Sequence, residues 1–309
     1  MKMMKYIRFL FVFASVLVVT NSCDQDQIYT DELYKNVIAI ICSDDFNILE
    51  DTQMLGEEAT GYVSVSCGGT HPVAKDVRIS FFVDMGVLED YNWSVYDADR
   101  SRYANLLPPS KYDMEQMHVI IPKGTYAGWM PIRFIPEGLS PDSIYFLPLS
   151  ISSTSAYELN PEKTNVLYRV LIKNQYAEQF AFGYTNYRMM GFIGEDPVSI
   201  PLKPMHPLNA NKVRIMVGDL EFTGELADIE AGAIVIEVTD GKNVKITPFK
   251  ENGTLSVTQV DVNVDYPNTF EIERDWDKRF KVFKLNYRYR IGNTTEVEVQ
   301  EELRLEFTE

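Results

Sequence analysis

From Phe283 to Phe307 apolar and polar residues alternate with a period of two. Phe283, Leu285, Tyr287, Tyr289 and Ile291 share one parity, and Lys284, Asn286, Arg288 and Arg290 the other. After a short break, Val297, Val299, Leu303, Leu305 and Phe307 alternate with Glu296, Glu298, Gln300, Glu302 and Glu306. Successive side chains of a strand point to opposite faces, so both runs are strands with one apolar and one polar face. A turn of Gly292-Asn293 alone would set apolar residues opposite polar ones, which a half-buried hairpin does not tolerate. Adding Thr294 brings the faces into phase, and three-residue loops favour Gly or Asn in the left-handed position. The register then places Tyr287 opposite Val299, Arg290 opposite Glu296, Arg288 opposite Glu298 and Lys284 opposite Glu302. Each exposed charge pair contributes only about 0.2–1 kcal/mol, so the pairs serve chiefly to hold register. Glu301 breaks the pattern. It lands on the apolar face opposite Leu285, where a carboxylate needs a partner, a local bulge or enclosed water. The hairpin is expected to close its domain with the Tyr-rich face inward and the charged face in solvent.

The same period runs through the first half of the chain. Val63, Val65 and Cys67 alternate with Ser64 and Ser66, and Val77, Ile79 and Phe81 with Arg78 and Ser80. Further strand candidates are Val37 to Cys42, Met117 to Ile121, Met130 to Phe134, Ile144 to Ile151 and Asn165 to Ile172, separated by Gly- and Pro-rich turns. About seven short strands in succession predict an immunoglobulin-like sandwich. Leu88 to Leu107 breaks the rhythm, as a long loop or a short helix would. With 309 residues, 45% of them hydrophobic, the chain has material for two cores at about 150 residues per domain. The segment from Lys173 to Glu178 is the expected boundary between them.

At the N-terminus Lys2, Lys5 and Arg8 precede an apolar run from Phe9 to Val19, the layout of a secretory signal. The run is short of the about 20 apolar residues that a spanning helix needs. Thr20-Asn21-Ser22-Cys23 resembles a bacterial lipobox, which implies cleavage before Cys23 and lipidation of its thiol. Asp24-Gln25-Asp26-Gln27 is similar to the acidic export tag of Bacteroidetes lipoproteins displayed on the outer membrane. The chain thus divides into a signal peptide (1–22), a lipidated tether (23–35), a sandwich (36–174) and a barrel-like domain (175–309). Export permits a disulfide between Cys42 and Cys67, although small buried thiols fit the same positions.

Asp90-Tyr91-Asn92, Leu107-Pro108, Tyr112, Val119-Ile120-Ile121-Pro122-Lys123-Gly124, Leu139 and Tyr145-Phe146-Leu147-Pro148-Leu149 follow one another in an order that resembles a known module. It is the N-terminal sandwich of surface lipoproteins from Bacteroidetes polysaccharide-utilisation loci, of the SusE-like, surface glycan-binding type. The same module precedes some endo-glycosidases. The second half resembles the C-terminal module that accompanies it, a meandering barrel similar in outline to lipocalins. The fold class is therefore all-β: an immunoglobulin-like sandwich followed by an antiparallel, lipocalin-like barrel. The quoted motifs read as packing and turn positions, not as ligand contacts.

Charge and motif narrow the function. With 29 Lys and Arg against 45 Asp and Glu, the formal net charge of -16 repels phosphate backbones, and a nucleic-acid partner is not expected. The 3 Cys exclude a disulfide-dense scaffold. His71, His118 and His206 lack metal-ligand spacing, and Asp97 and Asp99 lack the Gly and Glu of a calcium loop. No nucleophile elbow, phosphate loop or dinucleotide fingerprint occurs. The length after Asn174 falls well short of the roughly 250 residues of a catalytic TIM barrel. The chain reads as a non-enzyme without cofactor or metal.

Binding is the expected activity, and the resemblance implies glycan as the ligand. Sugars stack their C–H faces on exposed aromatic rings, while amides and carboxylates take the hydroxyls. Trp276 is the leading candidate, because Glu273-Arg274-Asp275 and Asp277-Lys278-Arg279 surround it with charge as in a loop. Trp93, in a polar aromatic stretch, and Tyr187, near Tyr184 and Met189 to Met190, are further candidates, with packing as the alternative role for each. Trp129 opens a strand and is assigned to the core. The resulting expectation is a lipid-anchored protein on the outer membrane that captures glycan for a SusC/SusD-type importer. The alternatives are a lipocalin-like carrier with an apolar ligand inside its barrel, and a structural or adhesive surface protein.

Overall fold

A computed structural model describes residues 34–261 and 263–308. The described chain is all-β, a two-sheet sandwich followed by a closed antiparallel barrel. In the sandwich, one sheet runs in the order Glu158–Leu159, Val37–Ile40, Ala59–Gly68, Ala127–Phe134, Tyr112–Asp113. The facing sheet runs Ile48–Met54, Asn165–Lys173, Tyr145–Thr154, Val77–Val83, His118–Ile121, with Asn105–Leu106 also paired to Tyr145–Thr154. Alternate residues of both sheets, among them Val63, Val65, Ile79, Ile132, Leu147 and Tyr168, fill the space between. Cys67 lies in that core and Cys42 at its margin, and both are free thiols. Burial pushes the pKa of each upward, so neither is poised as a thiolate.

The stretch that breaks the alternation is a helix, Met85–Tyr96, opened by Asp84, whose carboxylate accepts from the Gly86 N–H at 3.1 Å. Tyr91 packs edge-on against Phe146 with centroids 4.9 Å apart, and burial raises its hydroxyl pKa to about 12. Asn92 is buried. It accepts from the Ala104 N–H at 2.8 Å and donates to the Ala104 carbonyl at 3.0 Å, so the Tyr-Asn pair holds the following segment against the sheet.

The barrel consists of Gly183–Ile193, Asp196–Asn209, Lys212–Met216, Ala233–Thr239, Asn243–Pro248, Thr269–Asp275, Lys278–Ile291 and Val297–Phe307, each paired with the next. The last strand also pairs with the first of these, opposing Gly191 to Glu301 and Met189 to Leu303, which closes the ring. The final hairpin has the register its parity requires: Tyr287 opposite Val299, Arg288 opposite Glu298, Leu285 opposite Glu301. Gly292 sits at φ 57°, the left-handed conformation the loop demands. Phe283, Leu285 and Tyr287 are fully buried, and Arg288 bonds Glu298 at 2.9 Å outside.

Two expected ion pairs differ. Lys284 stands opposite Glu302 but bonds Glu273 at 3.0 Å on the other neighbouring strand, where Arg304 also meets Glu273 at 2.6 Å. Glu296 lies one residue before the strand begins, so its pairing with Arg290 falls outside the ladder.

Glu301 is 0% exposed and has partners instead of a bulge. One oxygen accepts from Lys203 Nζ at 2.6 Å and the other from the Tyr287 hydroxyl at 2.9 Å; Lys203 also donates to the Gly218 carbonyl at 2.7 Å, and the Gly218 N–H donates to Tyr287 at 3.0 Å. This closed polar circuit sits amid Tyr187, Met189, Met205 and Phe283, all fully buried. Side chains thus occupy the interior that an apolar-ligand carrier would have to leave open.

The two halves meet through Asn174 and Arg214. Asn174 accepts from the Tyr176 and Ala177 N–H groups and donates to the Asn209 and Lys212 carbonyls, all within 2.8–3.0 Å. Arg214, 1% exposed, forks onto Asp142 of the sandwich at 2.7 and 2.5 Å, while Gln179 and Tyr184 both donate to the Pro141 carbonyl. Among the described residues no helix is long and apolar enough to cross a membrane.

Candidate functional site

A groove of about 460 Å³ opens on the sandwich where the two sheets approach at one edge. Its wall is the strand Ala127–Phe134, whose burial alternates residue by residue. Met130, Ile132 and Phe134 point into the core, so Trp129, Pro131 and Arg133 must point out. Trp129 is 65% exposed, which corrects its assignment to the core: aromatic character favours burial, but the parity of its neighbours decides the face. Cross-strand pairing sets Tyr62 opposite Pro131, Ser64 opposite Trp129 and Thr60 opposite Arg133 on the same outer face. Tyr62 is half exposed, and with Trp129 and Pro131 it makes an apolar platform.

Two local features shape the edge at which the groove lies. Gly128 lets this strand pass the facing sheet, since a Cβ there would lie 2.2 Å from the Ile120 carbonyl oxygen. Pro131 has no N–H to offer another strand, and the outer neighbour Tyr112–Asp113 pairs only with Phe134 and Arg133. The second wall is Ile120 and His118 from His118–Ile121, preceded by Glu115 and Gln116. Arg78 donates to His118 Nδ1 at 3.2 Å, which leaves Nε2 as the ring's N–H donor. Arg133 bonds Asp113 at 2.6 Å and lies 3.7 Å from Glu58. The groove therefore offers an indole face ringed by two carboxylates, an amide, an imidazole and a hydroxyl.

The sequence candidates lie elsewhere. Trp276 is 99% exposed at the tip of the hairpin in which Asp275 pairs with Lys278, at φ 56°. Such turns favour Asn or Gly, and a bulky ring in the left-handed region is a rare and strained choice. Trp93 is 61% exposed on the helix Met85–Tyr96, beside Glu89, Asp90, Arg100 and Tyr103. Tyr187 is 0% exposed; its hydroxyl donates to the Tyr176 carbonyl at 2.8 Å and its ring lies among barrel core residues, so no face is free for a sugar. That removes Tyr187 from the candidates: its parity in Gly183–Ile193 is the inward one shared with Met189. Trp276, Trp93 and the Trp129 groove lie on separate elements and form no common site by pairing or shared lining. Cys23 lies outside the described residues. Among the described residues, no cluster of His, Cys, Asp and Glu could hold a metal ion.

No curated protein matches the chain. Solved structures match its fold. A Bacteroides ovatus protein of unknown function superposes with a TM-score of 0.64 at 14% identity, covering 87% of this chain and 94% of that one. A second from the same organism gives 0.62 at 16% identity, with 87% and 91% covered. A protein described as an auxiliary nutrient binding protein from Bacteroides thetaiotaomicron gives 0.56 at 14% identity, with 86% and 94% covered. A family model described as an N-terminal domain matches residues 29–158, and one described as a C-terminal domain matches residues 164–304. The chain is thus similar, in order and over most of its length, to an N-terminal and a C-terminal domain family, on a two-domain all-β fold found in Bacteroides.

Proposed function

We propose that the protein is a glycan-binding protein and that the Trp129 groove is its binding site. The observation that carries this reading is the outward indole of Trp129, adjoined by Pro131 and Tyr62 and bordered by hydrogen-bonding groups. A flat apolar face beside polar groups matches a pyranose ring, which is apolar on its C–H faces and polar at its rim. The name of the Bacteroides thetaiotaomicron protein of like fold, auxiliary nutrient binding, agrees with it. Binding without catalysis, as a non-enzymatic accessory to a SusC/SusD-type importer, extends the same reading.

The ring is exposed, so Trp129→Ala should leave the melting temperature nearly unchanged. It should weaken binding of soluble oligosaccharides by about 1–3 kcal/mol, the usual loss for an aromatic anchor. Isothermal titration against gluco-, manno- and xylo-oligosaccharides reads this directly, with Trp276→Ala as the comparison. Unchanged affinity in Trp129→Ala with a loss in Trp276→Ala would move the site to the hairpin tip.

Display on the outer membrane by acylation of Cys23 is part of the proposal, motivated by the apolar run before it and the acidic tag after it. Several acyl chains hold a protein on a membrane where a single chain does not. Cys23→Ala should abolish labelling by a fatty-acid analogue and release the protein from the membrane fraction. A labelled Cys23→Ala protein excludes this anchor.

A further inference from the structure

The charged groups of the Trp129 groove bear on which sugars it can hold. Arg133 is the cation lining it, and its charge is flanked by two carboxylates: Nη2 donates to Asp113 at 2.6 Å and Nη1 lies 3.7 Å from Glu58. Arg78, outside the lining, is turned onto the Nδ1 of the lining residue His118 at 3.2 Å. Glu115 adds a further carboxylate to the lining. Counting Asp113, Glu115 and Glu58 against Arg133 and Arg78, anions outnumber cations around the platform, on a chain whose formal net charge is -16. An incoming carboxylate or sulfate would meet repulsion from these groups and from the whole surface, and the positive charge of Arg133 is already offset by Asp113 and Glu58. Neutral hydroxyls meet the opposite situation, because carboxylates accept two hydrogen bonds from adjacent sugar hydroxyls without losing their ion-pair partner.

We infer that the groove selects uncharged glycans and rejects uronate-rich and sulfated ones, with Asp113 and Glu58 as the specificity-determining residues that mask Arg133. This rests on the glycan reading of the groove. Neutral gluco- and manno-oligosaccharides should bind at least tenfold more tightly than oligogalacturonate or dextran sulfate oligosaccharides in low salt, where long-range repulsion is strongest. Raising the salt should narrow the gap. Asp113→Asn frees the guanidinium for a bidentate carboxylate contact and should raise oligogalacturonate affinity about tenfold. Glu58→Gln, outside the groove lining, should raise it by a smaller factor than Asp113→Asn.

Oligogalacturonate binding as tightly as the neutral sugars, with both lost in Trp129→Ala, overturns the inference while the groove stays a glycan site. The same holds if Asp113→Asn leaves the anionic affinity where it was. Binding of neutral sugars that survives Trp129→Ala overturns the groove reading and the inference with it.

Discussion

Lys203→Met should destabilise the protein by about 3–5 kcal/mol, the usual loss when one partner of a buried ion pair is removed. Glu301 is fully buried and Lys203 is 3% exposed, so the carboxylate left behind cannot be rehydrated in place. The Tyr287 hydroxyl would still donate to it at 2.9 Å, but a neutral donor does not replace the ammonium at 2.6 Å. The Gly218 carbonyl would lose its donor as well. The double variant Lys203→Met/Glu301→Leu should recover most of the loss, because removing both charges leaves an apolar interior with no orphaned ion. Urea unfolding followed by far-UV circular dichroism measures both. A single variant within about 1 kcal/mol of the parent would mean that water reaches Glu301, contrary to its burial.

The junction between the domains should show a directional effect. Asp142→Ala should cost about 2–3 kcal/mol, less than a fully buried pair because the side chain of Asp142 retains 21% of its exposure. It strands the Arg214 guanidinium, 1% exposed, which then keeps only its stacking on the Phe249 ring at 4.8 Å. Arg214→Met should cost less than Asp142→Ala. Its apolar chain fills much of the same volume, and the freed Asp142 can turn to solvent. The His206 ring lies 3.9 Å from that of Tyr184 at a tilt of 58°, and burial together with the Arg214 charge pushes its pKa down to about 3. Both variants should therefore be compared at neutral pH, where His206 is uncharged. Calorimetric midpoints decide the order, and Arg214→Met as the more damaging change would locate the energy in packing on Phe249 instead of in the ion pair.

How much of the molecule was legible in its sequence depended on the distance over which the information acts. The all-β class and the closing hairpin could be read residue by residue, because the face of each side chain follows from parity within one strand. Glu301 was visible as an exception for the same reason. Trp129 was equally open to parity: Met130, Ile132 and Phe134 alternate behind it, and only the habit of burying tryptophan pointed the other way. Tyr187 failed as a ligand candidate because nothing adjacent showed that its strand would line a filled barrel. The helix Met85–Tyr96 was only half legible, since its anchoring bonds run from Asn92 to Ala104 across an intervening turn.

By itself the sequence determined strand parity, the three-residue loop at Gly292 and the register of Arg288 against Glu298, because these depend on backbone geometry and near neighbours. Tertiary structure alone decided that Lys203 would answer Glu301 from 98 residues away, and that Lys284 would turn from Glu302 to Glu273. It also decided that Thr60, Asp113, His118 and Trp129 would share one groove. Closing a barrel and apposing two sheets bring distant strands within bonding reach, and a charge then takes the best partner in space, which no local period encodes.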